Sequence, residues 1–235
     1  MCGFKVSCVS KIAGRLGSPH GPFARLRENM HKSTVFEETY ANYLVRIGRL
    51  EFKKIADRLG AEMVGNELVI PFFGLPMRIS TAGISGPSGE RPDFSVCVVL
   101  SKYLLLCPDH DPVEKDWVSF KDFRDSTPFA AAFFNYTEIP LAKYFSGRLK
   151  DLEAACRGIG GHPPAATFSY DLCMHFDALP RIPVLLLFND ADAEFAAQCA
   201  VLFERRAENY LDMECLAMIG MLLFEYLKPA AEMPA

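Results

Sequence analysis

Five consecutive apolar residues, Val184 to Phe188, are entered through Pro180-Arg-Ile-Pro183 and left through Asn189, Asp190, Asp192 and Glu194. A strand without a polar position offers neither face to water, so this run needs cover on both sides. It therefore predicts a central strand in a layered fold. The chain turns where Asn and Asp cluster, because their side chains bond their own backbone there.

The preceding segment predicts its neighbour. From Thr167 to Asp177, Phe168, Tyr170, Leu172, Met174 and Phe176 alternate with Ser169, Asp171, Cys173, His175 and Asp177, the period of a half-buried strand. Further strands are expected as a hairpin over 61–73 turning at Gly65-Asn66, then at Met77–Ser80 and Trp117–Phe120. Residues 81–92, rich in Gly, Ser and Pro, read as a surface loop. Residues 197–206 suit helix or strand equally.

Helices are expected over Val35–Leu59, with a Thr34/Glu37 capping box, and over Phe94–Leu106. Another starts at Thr127-Pro128, is kinked or split by Pro140 and ends at Gly147. A short one spans Leu149–Arg157. The last runs Met213–Leu227, capped by Asp212 and stopped at Pro229. Helices and hairpins without regular βαβ alternation point to an α+β fold, a mostly antiparallel sheet with helices packed on one side. Residues 34–228 form a single domain in this reading, after a flexible extension over 1–33 and before a tail over 229–235.

Half of the 235 residues are hydrophobic, which excludes a chain too polar to bury a core. The net charge of −4 gives no bulk attraction to nucleic acid. Only the N-terminal segment is locally basic, through Lys5, Lys11, Arg15, Arg25, Arg27 and Lys32. That segment reads as an extension, as an over-long start with Met30 the true one, or as an organelle transit peptide. No apolar run has the roughly 18 residues of a membrane span. The eight cysteines form no CxxC pair and suit a reducing cytoplasm.

Three constellations carry possible chemistry. Cys173 and His175 share a strand face and could ligate a metal ion, with Asp171 and Asp177 orienting the ring. The same pattern is an ordinary polar strand face. Asp190, Asp192 and Glu194 could hold a cation or split their pKa values for acid–base work, or form a solvated turn. Arg181, stiffened between prolines, could fork a carboxylate or phosphate, or pair with Asp177 or Asp190. P-loop, dinucleotide, α/β-hydrolase and zincin motifs are absent.

Trp117-Val-Ser-Phe-Lys-Asp-Phe123 and Phe134 through Leu141-Ala-Lys-Tyr-Phe145 form one block. Ala178-Leu-Pro-Arg-Ile-Pro-Val184, Asp192-Ala-Glu-Phe195, Leu202-Phe203 and Tyr210-Leu-Asp-Met-Glu214 form another. In order and spacing they resemble the prokaryotic family catalogued as domain of unknown function 3786, over roughly residues 35–228. The resemblance implies no established activity. It implies a shared acidic set of Asp192, Glu194, Glu204 and Glu214, and leaves Cys173 and His175 outside the family pattern. Some members carry an added iron–sulfur domain. Cys2 and Cys8 cannot supply a four-cysteine cluster, so an iron–sulfur role here requires a partner.

The resulting expectation is a cytoplasmic binding or accessory module without catalysis of its own. Its cleft would be lined by Arg181, Asp190, Asp192, Glu194, Glu204 and Glu214, and its partner would be an iron–sulfur or corrinoid protein of anaerobic metabolism. Cofactor and ligand are left open, and neither nucleic acid nor membrane is an expected partner. The alternatives are a metal-assisted or paired-carboxylate enzyme at the same cleft, and a scaffold whose acids are all solvated.

Overall fold

The structure, a computed structural model, describes residues 34–232. The expected extension over 1–33, with its basic cluster and Met30, lies outside the described residues. The elements run α1 (Thr34–Ile47), α2 (Phe52–Leu59), β1 (Glu62–Val64), β2 (Glu67–Phe72), β3 (Leu75–Ser80), β4 (Gly83–Ser85) and α3 (Phe94–Leu105). There follow β5 (Trp117–Ser119), α4 (Thr127–Phe133), α5 (Ile139–Phe145), α6 (Leu149–Gly158), β6 (Leu172–Leu179), β7 (Ile182–Asn189), β8 (Gln198–Glu204) and α7 (Met213–Glu232).

The strands form two antiparallel sheets, a β1-β2-β3-β4 meander and a second sheet ordered β5-β8-β7-β6. The fold is α+β. β7 occupies an interior position between β8 and β6, and every residue from Ile182 to Phe188 is buried. Met174, Phe176, Val184, Leu186, Val201 and Phe203 join one continuous core with residues of α3 and α7. Leu185 and Leu187, on the opposite face of β7, are buried as well. The meander docks on β6 where the Phe73 N–H donates to the Ala178 carbonyl at 3.0 Å.

Several boundaries depart from expectation. The first helix is two helices. Its ladder gives way just after Gly48, a poor helix former, where the Arg49 and Leu50 N–H groups turn to the carbonyls three residues back. The helices α1 and α2 then turn different faces inward, Tyr40 and Ile47 against Ile55, Ala56 and Leu59. Glu37 of the expected capping box gives both its oxygens to Arg91, at 2.7 and 2.9 Å. The loop over 81–92 contains a strand, β4, whose Ile84 N–H donates to the Tyr40 hydroxyl at 2.8 Å. Thr127 is the first residue inside α4, and Ser126 stands at its cap position.

The strand expected from Thr167 begins only at Leu172. Leu172 pairs with Phe188 near the end of β7, so the backbone before it has no ladder to join. Side chains tie it instead, with the Asp171 N–H donating to Asn189 Oδ1 at 3.2 Å and Asp171 Oδ2 accepting the Asp190 N–H at 2.8 Å. Residues 198–204 resolve as the strand β8. Asp212 caps α7, accepting the Cys215 N–H at 3.0 Å through one oxygen and the Lys102 ammonium at 2.8 Å through the other. That helix runs past Pro229 to Glu232, into the expected tail.

Pro140 acts as expected but in a particular way. Its ring has no N–H and crowds the carbonyl four residues back. The turn before it widens into a π-helical segment, Phe134–Glu138, in which the Ile139 N–H reaches Phe134 O. Single π turns insert a residue without ending the helix. Here the insertion turns Glu138 inward, where its Oε1 accepts the Val201 N–H of β8 at 2.9 Å. Burial pushes the Glu138 carboxyl above its ordinary value, and the Val201 hydrogen bond recovers only part of that shift.

A carboxyl whose folded pKa is raised binds protons more readily when folded. The stability contributed by this group therefore declines as pH rises from the unfolded value, about 4.3, through the folded one. Glu138→Gln keeps the acceptor and removes the ionisation. Its Tm at pH 7 is expected to exceed that of wild type. The difference should vanish near pH 4 in thermal melts across pH.

Candidate metal centre

The two strand faces at β6 have different chemistry. Met174 and Phe176 enter the core, while Cys173 and His175 are half-buried and Asp177 is exposed on the other side. In cross-strand register, Asp177 lies opposite Pro183, His175 opposite Leu185 and Cys173 opposite Leu187. On the far side of the sheet, Glu204 of β8 lies opposite Trp117 of β5. The Trp117 ring meets His175 edge to face at 5.7 Å.

A fifth element completes this surface. After α6 the chain turns through Gly160-Gly161 and lays His162 against β6 as an isolated antiparallel bridge. The His162 N–H donates to the His175 carbonyl at 3.0 Å, and the His175 N–H returns to the His162 carbonyl at 2.7 Å. The approach requires Gly161, because a Cβ there would lie 2.5 Å from the Phe176 ring and 2.7 Å from the Cys156 carbonyl. Both values are far inside van der Waals contact.

The bridge brings two imidazoles together. His175 Nδ1 is 3.1 Å from His162 Nε2, and the rings sit 4.8 Å apart. His162 Nδ1 lies 3.1 Å from the Pro163 carbonyl. A carbonyl only accepts, so this contact holds the His162 proton on Nδ1 and leaves Nε2 with its lone pair facing His175. One donor atom from each of His162, His175 and Asp177 lies within 4.8 Å of the others. Burial pushes the His175 imidazole below its ordinary value and His162 adds to this, while Asp177 and Glu204 pull the other way. Burial thus favours the neutral imidazole, the form that ligates metals.

The residues expected to line an acidic cleft do not gather. Arg181 caps α2. Its Nε and Nη2 donate to the carbonyls of Arg58 and Asp57, at 3.0 and 2.8 Å, where the helix dipole favours a cation. Its guanidinium serves this cap instead of the expected pairing with Asp177 or Asp190. At the opposite end of β7, Asp190 Oδ1 accepts the N–H groups of Gly147 and Ala191, at 2.7 and 2.8 Å. Asp192 accepts those of Glu194 and Phe195, at 2.8 and 2.7 Å, and these bonds hold its carboxyl below the usual range. The Glu194 side chain is exposed.

Glu204, nearer the other end of the sheet, is ion-paired with Arg206, both side chains mostly buried. Glu214 lies in the first turn of α7, beside the Tyr43, Lys102 and Asp212 group. The acids thus occupy three places, and the solvated-turn reading describes Asp190, Asp192 and Glu194. Of the expected metal pair, His175 belongs to the donor cluster. Cys173 does not, since its Sγ points toward the Phe168 carbonyl at 4.0 Å and burial pushes the thiol up. Sequence reasoning placed Asp177 on the His175 face and missed His162. No fixed spacing joins positions 162 and 175, although glycines before His162 and prolines after it mark a forced turn.

Among the described residues, no helix is long and apolar enough to cross a membrane, and Cys97, Cys107, Cys156, Cys173, Cys199 and Cys215 are free thiols. Comparison with curated proteins and with solved structures finds no match. The model of the family described as Domain of unknown function (DUF3786) matches residues 51–226, the stretch from the break before α2 to the last turns of α7, and the chain belongs to that family.

Proposed function

We propose that the protein is a cytoplasmic binding or accessory module without catalysis of its own, and that its ligand sits on the outer face of the second sheet. The observation that carries the reading is the meeting of His162, His175 and Asp177 on that face. Three polar side chains from two separate segments converge there, while Asp190 and Asp192 satisfy backbone N–H groups and Glu204 an ion pair. Free thiols are in keeping with a reducing compartment. Service to a metal-handling partner of the iron–sulfur or corrinoid type is the accompanying proposal. The rival, a metal-assisted or paired-carboxylate enzyme at the acidic cleft, needs those acids in one hollow. The separation of Asp190 and Asp192 from Glu204 and from Glu214 favours the binding module over it.

A thermal-shift panel tests the reading. Divalent ions, small carboxylates, phosphates, nucleotides and tetrapyrroles are added separately to the full chain and to its His175→Ala and Asp177→Asn variants. At least one ligand is expected to raise the wild-type Tm by several degrees and to leave both variants unmoved. A panel that moves nothing, or a shift that survives His175→Ala, removes the reading.

A further inference from the structure

We infer that the ligand of this face is a single divalent first-row transition-metal ion of the zinc class, held by His162 Nε2, His175 Nδ1 and a carboxylate oxygen of Asp177. The inference rests on the proposed function and names the ligand it leaves open. Its first support is a distance. Two nitrogens bound to one tetrahedral ion at 2.0–2.1 Å stand about 3.3 Å apart. The imidazole nitrogens already stand 3.1 Å apart, joined by one N–H···N hydrogen bond from His175 Nδ1. An ion entering there takes the place of that proton, His175 passing to its Nε2–H tautomer by exchange with water, with a displacement of a few tenths of an ångström.

The second support is orientation. A ligating histidine almost always donates its other ring N–H to a carbonyl or carboxylate, which fixes the tautomer. The Pro163 carbonyl at His162 Nδ1 does this, independently of any contact with His175. The ring is also aimed by its backbone, since His162 and His175 exchange both main-chain hydrogen bonds. The Asp177 side chain is exposed, so its carboxylate has room to swing the remaining ångström or so onto the ion.

The donor set selects the class. Two imidazoles and one carboxylate suit zinc, nickel, cobalt or iron, whereas calcium and magnesium favour oxygen alone. Structural zinc sites are closed by four protein ligands, and three ligands leave an open position. The ion is therefore accessible to exchange, to an incoming ligand or to a bound water. Cys173, two residues from His175 on the same face, stays outside the set.

Cobalt(II) titration of the chelator-treated full chain reads this directly, because ligand-field bands report the coordination of a bound ion. One equivalent is expected to bind with visible absorption, and zinc is expected to displace it. His162→Ala, His175→Ala and Asp177→Asn should each weaken binding by about 100-fold or more, beyond the loss typical of outer-shell changes. Cys173→Ser should bind as wild type. Circular dichroism of the metal-free variants separates lost ligation from lost fold. His162→Gln and His175→Gln give the same reading if an alanine variant misfolds. A chain that takes up no cobalt, or one whose binding survives His175→Ala, overturns the inference. If metals are silent while another member of the ligand panel acts through His175, the metal inference falls and the ligand-binding face stands. If nothing in the panel acts, both fall.

Discussion

Gly220→Ala is expected to destabilise the protein by roughly 2–3 kcal/mol, the usual cost of forcing extra volume into a packed core, with a Tm fall of roughly 5–10 °C. The sign is opposite to the rule for helix interiors, where alanine is better than glycine by about 1 kcal/mol. Gly220 lies within α7, against the segment that Pro140 widens. A Cβ there would sit 2.4 Å from Phe133 Cε2 and 3.0 Å from both Phe133 Cζ and Thr137 Cγ2. The phenyl ring has nowhere to retreat. It is stacked on Phe120 at 4.4 Å with planes 6° apart, and Phe203 of β8 closes another side at 6.0 Å. Urea denaturation measures the loss. Adding Phe133→Leu, which trims the ring edge, should make the alanine substitution less costly than it is alone. A Gly220→Ala protein as stable as wild type would show that the ring can move and that α7 is not held at this contact.

Tyr103→Phe is expected to cost about 2–5 kcal/mol for the removal of one oxygen. The Tyr103 side chain is fully buried in α3, and burial holds the hydroxyl protonated far above its ordinary pKa. The hydroxyl donates to the Leu59 carbonyl at 2.7 Å and accepts the Arg181 N–H at 3.1 Å. The first is one of the terminal carbonyls of α2, which have no partner within the helix. The second lies in the tight turn between β6 and β7. Phenylalanine fills the same space but strands both groups, each at about 1–3 kcal/mol when buried. The loss should appear in denaturant midpoints with the m-value unchanged. A cost below about 1 kcal/mol would mean that α2 and the turn are joined by other contacts, with the Arg181 cap first among them.

These two residues also indicate what kind of information a sequence holds. The apolar run of β7 was legible because a strand without polar positions has one solution, burial on both faces. The alternation in β6, the Asp212 cap and the buried α3 were legible for the same local reason, a period or a neighbour within a turn or two. Arg181 was legible as a fixed guanidinium but not as a helix cap. Its partners are carbonyls of residues 57 and 58, more than 120 positions away, and every residue type presents a carbonyl. The acids at the end of β7 were legible as a turn, and their supposed meeting with Glu204 and Glu214 was not. Whether acids meet depends on where separate elements end.

The sequence by itself determined the α+β class, the interior strand, the family and the polar face on which His175 and Asp177 lie. Each follows from spacing along one segment. The tertiary structure alone decided that His162 closes on His175, that Cys173 stays outside and that the acids disperse. Those outcomes depend on a glycine-lined turn passing a phenyl ring and on the register of strands far apart in the chain. They are set by packing between surfaces that no single segment encodes.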